Sequence, residues 1–116
     1  DKILILQDGS AGTGRSQLID SAGRVVPGRL PPTIARALLT QPGDRAVAFD
    51  GVSRKVRIFD VNGTPDPSTG VLPELGTPGG FTPAGDPGAG LVLALSADDR
   101  TLFVGGDDRI VVVPLP

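Results

Sequence analysis

Three stretches of the chain repeat one order of polar and apolar positions. Each opens with Asp, continues with a basic or polar pair, and runs into four mostly apolar residues. They are Asp1-Lys2-Ile3-Leu4-Ile5-Leu6, Asp44-Arg45-Ala46-Val47-Ala48-Phe49 and Asp99-Arg100-Thr101-Leu102-Phe103-Val104. The Asp-Lys/Arg pair marks a turn, and a short apolar run bounded by turn signals reads as a buried strand. A polar, Gly-containing turn follows each, and then a second β-rich segment: Ser16-Gln17-Leu18-Ile19-Asp20, Lys55-Val56-Arg57-Ile58-Phe59-Asp60 and Arg109-Ile110-Val111-Val112-Val113. Two repeats also carry an upstream apolar strand at the same offset, Ala37-Leu38-Leu39-Thr40 before Asp44 and Val92-Leu93-Ala94-Leu95 before Asp99. Gln41-Pro42-Gly43 and Ser96-Ala97-Asp98 supply the turns between them. Looser outer pieces are Arg24-Val25-Val26 and Val71-Leu72-Pro73-Glu74-Leu75.

This grammar predicts an all-β chain of antiparallel strands. Residues 1–116 form one repeat-built domain, with repeats at about 1–30, 31–75 and 91–116 and a Gly/Pro-rich insertion loop at 76–90. Residues 3–6, 46–49 and 101–104 are expected to form the inner, buried core. The one competing element is a short helix over Pro31-Pro32-Thr33-Ile34-Ala35-Arg36-Ala37-Leu38-Leu39, with Thr33 near its N-cap and Pro42 closing it.

Composition sharpens this picture. With 116 residues the chain suits a single domain. Apolar residues make up 39% but aromatics only 3%, so the core must be built from Val, Leu, Ile and Ala around Phe49, Phe59, Phe81 and Phe103. The 17 glycines and 12 prolines would suggest disorder if evenly spread, but they punctuate the apolar runs. Thirteen acids against 11 bases leave a net charge of −2, with no cluster of Lys and Arg to bind nucleic acid. Glu74 is the sole glutamate; the bias to aspartate fits turns better than helices. There is no cysteine, which excludes a disulfide framework, a thiolate metal site and a cysteine nucleophile. No run approaches the ~18 apolar residues of a membrane-spanning helix. Compartment stays open on these grounds, an extracellular or periplasmic setting being favoured.

The stretch Leu95-Ser96-Ala97-Asp98-Asp99-Arg100-Thr101-Leu102-Phe103-Val104-Gly105-Gly106, followed by Ile110-Val111-Val112-Val113, resembles a β-propeller blade of the YVTN or WD40-like type. Such blades read as an apolar strand, a Ser-Pro-Asp-Gly-Arg turn, a strand, a small turn and another strand. Here the Pro-Asp-Gly turn is imperfect and the Trp-Asp pair is absent. The resemblance covers most of the chain and implies a partial propeller of about three blades, while a ring closes with roughly four to eight. Starting at Asp1 and within a blade, the chain is expected to be a processed or excised piece of something longer. Its exposed strand edges would be covered by further blades, by more copies, or by open-ended pairing into a fibre. Pro114 and Pro116 would discourage pairing at that end.

Candidate chemistry is sparse. Gly9-Ser10-Ala11-Gly12-Thr13-Gly14-Arg15-Ser16 has the spacing of a phosphate-binding loop, with Arg15 in place of lysine. Only Gln17-Leu18-Ile19-Asp20-Ser21-Ala22 follow before Gly23, too little for the helix that such a loop needs. The segment therefore reads as a Gly-rich hairpin loop, matching Asp50-Gly51-Val52-Ser53-Arg54. Asp60-Val61-Asn62-Gly63 with Asp66 is faintly like a calcium loop, but its glycine comes too early and no glutamate closes it. Those aspartates, with Asp98-Asp99 and Asp107-Asp108, read as turn caps. Histidine, cysteine and tyrosine are all missing, so general bases reduce to carboxylates and Lys2 and Lys55. Arg54, Lys55 and Arg57 form the only basic cluster, read as the solvated face of a strand whose Val56 and Ile58 turn inward.

The resulting expectation is a non-catalytic interaction or structural module with no cofactor and no metal, and no catalytic residue is assigned. As a binding scaffold it would use the loop at 76–90; the alternatives are a self-assembling structural protein, such as an extracellular filament, and a fragment of a propeller enzyme.

Overall fold

The computed structural model describes residues 2–7, 12–80, 91–107 and 109–116. Among these, strands follow one another in sequence with no helix between them: β1 (Lys2–Gln7), β2 (Arg15–Asp20), β3 (Val25–Val26), β4 (Ile34–Leu39), β5 (Arg45–Asp50), β6 (Lys55–Asp60), β7 (Glu74–Gly80), β8 (Val92–Leu95), β9 (Thr101–Gly105) and β10 (Ile110–Pro114). They make three antiparallel sheets, ordered β1-β2-β3, β4-β5-β6-β7 and β8-β9-β10, so each strand pairs with its neighbour in the chain. Short hairpin connections are enough for such meanders. The expected all-β antiparallel class is what the chain adopts.

The possible helix over residues 31–39 is a strand. Leu39 sits opposite Ala46 and Ala37 opposite Ala48 across the β4–β5 ladder. The Thr33 hydroxyl, which would have capped that helix, instead donates to Asp50 Oδ2 at 2.6 Å. Pairing with β5 satisfies the backbone groups on one edge of β4, whereas a short helix would have left most of its backbone groups open. Of the insertion loop expected at 76–90, residues 76–80 belong to β7, and residues 81–90 lie outside the described ones.

The sheets stack as layers, with the four-stranded sheet in the middle. One core lies between it and the first sheet, where Leu18, Leu4 and Leu6 meet Ala46, Ala48 and Phe59. A second lies between it and the third sheet, where Val47, Phe49 and Val56 meet Leu102, Val104 and Val113. Burial therefore differs between the three strands expected to form the inner core. Only β5 is buried on both faces, from Ala46 through Asp50. Strands β1 and β9 alternate between covered and open positions, because each belongs to an outer layer with one free face.

Matching hydrogen bonds align the β4–β5 turn with the β8–β9 turn. In the β4–β5 turn Thr40 N–H donates to the Arg45 carbonyl and Gly43 N–H to the Thr40 carbonyl; in the β8–β9 turn Ser96 and Thr101, then Asp99 and Ser96, do the same. Gly43 and Asp99 both take a left-handed backbone, with φ of 74° and 58°. Asp99 thus corresponds to Gly43 and not to Asp44, one residue away from the alignment that the Asp-Arg pairs suggest. Val61 N–H to the Asp44 carbonyl and Leu115 N–H to the Arg100 carbonyl agree with that shift. A one-residue slip exchanges the two faces of a strand, so Leu102 matches Ala46 and Phe103 matches Val47.

With this register the layers all point one way. Each has a leading face, toward the next sheet in chain order, and a trailing face toward the previous one. Leu4, Leu6 and Leu18 lead in the first sheet, and Val47, Phe49 and Val56 in the second. Ala46, Ala48 and Phe59 trail in the second, and Leu102, Val104 and Val113 in the third. The bonds between layers repeat as well. Lys2 Nζ donates to Asn62 Oδ1 of the next sheet's outgoing turn at 2.6 Å. Its counterpart Arg45 donates to the Pro116 carbonyl at 3.4 Å.

Gly28 fixes how the connection from β3 enters the second sheet. Its φ is +115°, and a Cβ there would meet Leu72 Cδ2 at 2.4 Å. Leu72 is itself part of the first core. Gly28→Ala combines backbone strain with overpacking and is expected to destabilise by about 2–4 kcal/mol. Chemical denaturation checks this; an unchanged midpoint would show that the connection relaxes freely.

Candidate functional site

Asp50 ends the central strand β5 with 3% of its surface exposed, the one buried acid among the described residues. Its Oδ1 accepts from the N–H groups of Val52 and Ser53, both at 2.9 Å. Its Oδ2 accepts from the Thr33 hydroxyl and from Arg57 at 3.0 Å. Arg57 turns its other nitrogens to Glu74, giving 3.0 and 2.7 Å bonds to the two carboxylate oxygens. It also lies 5.2 Å from the centre of the Phe59 ring. Arg57 is therefore not the solvated side chain expected of the basic cluster but the clamp between two acids. Lys55 alone in that cluster is simply exposed, while Arg54 covers the Phe49 ring at 4.8 Å.

The electrostatics follow from these contacts. Burial pushes the Asp50 carboxyl up, but the donors, Thr33 foremost, outweigh it and hold the group below its ordinary value. Glu74 is held low chiefly by Arg57 and then by the Thr77 hydroxyl. Arg57 is raised by Glu74 first and by Asp50. Acids kept ionised in this way cannot serve as proton donors near neutral pH. What the trio does is tie the ends of β5, β6 and β7 together.

Among the described residues, Asp60, Asp66 and Asp98 are occupied as caps. Asp66, suggested as a calcium ligand, accepts from the Ser68 hydroxyl and from the N–H groups of Ser68 and Thr69. Asp60 accepts from Asn62 N–H at 3.0 Å. Asp98 accepts from the Ser96 hydroxyl and Arg100 N–H. The Ser68 hydroxyl lowers Asp66 most and the Ser96 hydroxyl lowers Asp98 most. Among the described residues no group of three or more potential ligands is placed to hold a metal ion. Asp108 lies outside those residues.

The Gly9–Ser16 segment falls partly outside them too, but its end is clear. Arg15 and Ser16 already belong to β2, so no helix follows the glycines. The Ser16 hydroxyl accepts the Leu30 N–H at 2.7 Å, and Gly14 N–H donates to the Pro32 carbonyl. The Gly14 N–H and the Ser16 hydroxyl are thus taken up by the segment Leu30–Pro32 of the same chain. A groove of about 920 Å³ runs beside this part of β2 and is lined by Ile5, Gln7, Arg15, Gln17, Arg29 and Ser68 among others, with no acid among its described residues. It contains no nucleophile–base pair.

The most distinctive surfaces are the two outer sheet faces. On the third sheet, Phe103, Ile110 and Val112 are 39%, 71% and 58% exposed, beside an open Val92. They form one patch, since Phe103 pairs with Ala94 and Val112, and Gly105 with Val92 and Ile110. On the first sheet, Ile3 and Ile5 are 61% and 50% exposed, and Ile3 joins Val25 through Ile19. Scattered apolar residues are ordinary on a surface, but a contiguous sheet face of them is less common. Residue alternation shows which positions share a face; only the stacking order shows which face stays open.

No family model, curated protein or solved structure matches this chain.

Proposed function

We propose that the chain is a non-catalytic, β-propeller-type interaction and structural module whose outer sheets continue into further layers. The observation that carries this reading is the directional stack. Trailing faces meet leading faces at both internal interfaces, and one apolar face of each kind remains at the two ends. The repeated cation-to-turn bonds, Lys2 to Asn62 and Arg45 to Pro116, support the same translation from sheet to sheet. Interfaces between layers here are built from Val, Leu, Ile and Phe, and the two open faces have the same make-up. Among the described residues no set favours an enzymatic reading: Asp50 and Glu74 are bonded in the clamp, Asp60, Asp66 and Asp98 are caps, and the chain has no histidine or cysteine.

On this reading the outer faces are covered in the working protein. Oxidative labelling of side chains should find Ile5, Phe103, Ile110 and Val112 protected at working concentration and reactive after dilution or in urea. If all four label like free peptides while the chain stays folded and the inner layers stay protected, the faces are plain solvent surface and the module reading is lost.

A further inference from the structure

We infer that the open leading face of the third sheet is occupied by the open trailing face of the first sheet of a second copy, closing a head-to-tail pair. This rests on the stacking module proposed above and names its partner.

The argument is one of equivalent positions. In the shifted register, Phe103, Ile110 and Val112 of the third sheet stand where Val47, Val56 and Ile58 stand in the second. Val47 and Val56 are buried by the trailing face of the sheet that follows. Ile3, Ile5 and Ile19 of the first sheet stand where Ala46, Ala48 and Phe59 stand in the second. Those three are buried by the leading face of the sheet before. The chain thus presents one unfilled half of its own repeated interface at each end, and the halves are complementary to one another.

Polar features agree. The first sheet's trailing face ends in Gln7, Arg15 and Gln17. Gln7 and Gln17 occupy the positions of Asp50 and Arg57, the polar end of the second sheet's trailing face. An apolar zone with a polar end is therefore the common format of a trailing face, buried or open. A like-with-like pair of third-sheet faces would set two leading faces together, which neither internal interface does.

Stoichiometry follows from the number of layers. Three sheets fall short of the roughly four to eight that close a ring, two copies supply six, and three copies overshoot. A heterologous contact either closes into a ring or grows without limit. Closure at two copies leaves no apolar face exposed.

The absence of cysteine allows a direct test. Ile5→Cys and Phe103→Cys are made singly, treated with a short thiol-reactive linker, and compared with an equimolar mixture after subunit exchange. Both positions lie outside the internal cores, and Val112→Cys replaces Phe103→Cys if that variant melts early. Head-to-tail pairing gives cross-linked dimer from the mixture and none from either variant alone, with a two-copy mass by light scattering. Val112→Lys should then shift the mass to one copy while leaving the melting transition in place.

Cross-linking of a single variant with itself would overturn the head-to-tail arrangement, and a mass above two copies by light scattering would overturn closure at two. A one-copy mass with labelling-protected faces would overturn the second copy as occupant and leave the module reading standing. A one-copy mass with freely labelled faces would remove both.

Discussion

Phe49→Ala should destabilise the chain by about 3–5 kcal/mol, the largest effect expected of any single truncation. Phe49 is fully buried, on the leading face of the one strand covered on both sides. It packs with Val47 and Val56 against Leu102, Val104 and Val113, so its removal opens a void between two layers. Arg54 also loses the ring it covers. The chain has only four aromatic side chains, and neighbouring Val and Leu residues are too short to refill the space. Since small domains hold only about 5–15 kcal/mol in total, this one change should bring the protein close to unfolding. Urea denaturation of the variant against Phe49→Leu checks the account. Leu should recover most of the loss, and an equal loss in both would mean that ring-specific contacts dominate over filled volume.

The second large effect concerns the Asp50–Arg57–Glu74 clamp. Asp50→Ala leaves Arg57 half-paired and orphans the Thr33 hydroxyl and the N–H groups of Val52 and Ser53. Leaving several part-buried donors unmade is expected to destabilise by about 2–4 kcal/mol. The same carboxylates set the acid stability. Asp50 and Glu74 both have folded-state values below their ordinary ones. A group with a depressed folded value binds its proton more readily when unfolded. Its contribution is therefore complete above the unfolded value and is lost as pH falls below roughly 4 and on through the folded value. Melting temperature should accordingly be flat from neutral pH down to the ordinary carboxylate range and then drop. In Asp50→Asn the whole curve should lie lower and the acid drop should be shallower. A variant with an unchanged acid slope would place the titration elsewhere, among the exposed turn aspartates.

Arg57 shows how far a reading of residues alone can carry. Its alternation with Val56 and Ile58 puts it on the opposite face of β6, and that is correct. That face of β6 is open only at its Lys55 end, however: Phe59 is buried in the first core, and Arg57 between them is held by two acids. Nothing local to Lys55-Val56-Arg57 records that Asp50 and Glu74 converge there from β5 and β7. The isolated Glu74, the only glutamate in an aspartate-rich chain, was the one available hint of a special position.

The alignment of the β4–β5 and β8–β9 turns makes the same point from the other direction. Asp44-Arg45 and Asp99-Arg100 look like one motif, and their offsets to the upstream strands agree. The backbone aligns Gly43 with Asp99 instead, because what the turn requires is a left-handed residue at its penultimate position. Glycine meets that requirement without strain, and aspartate is among the few side chains that tolerate it. Residue identity at a turn is thus a weaker guide than backbone conformation. The slip matters because it decides that Phe103, Ile110 and Val112 look outward.

By itself, then, the order of residues determined the strand content, the antiparallel meander and the punctuation between strands. Those depend on side-chain period, turn chemistry and β-branched runs, all of which act within a few residues. It also ruled out thiol and imidazole chemistry, since those side chains are absent. Only the tertiary structure decided that residues 34–39 form a strand, that β5 alone is enclosed, that Arg57 is a clamp, and which two faces stay open. Each of these turns on which sheet lies against which. Burial of a face is a property of the pair of layers that meet, and a single strand's alternation carries no record of its neighbour.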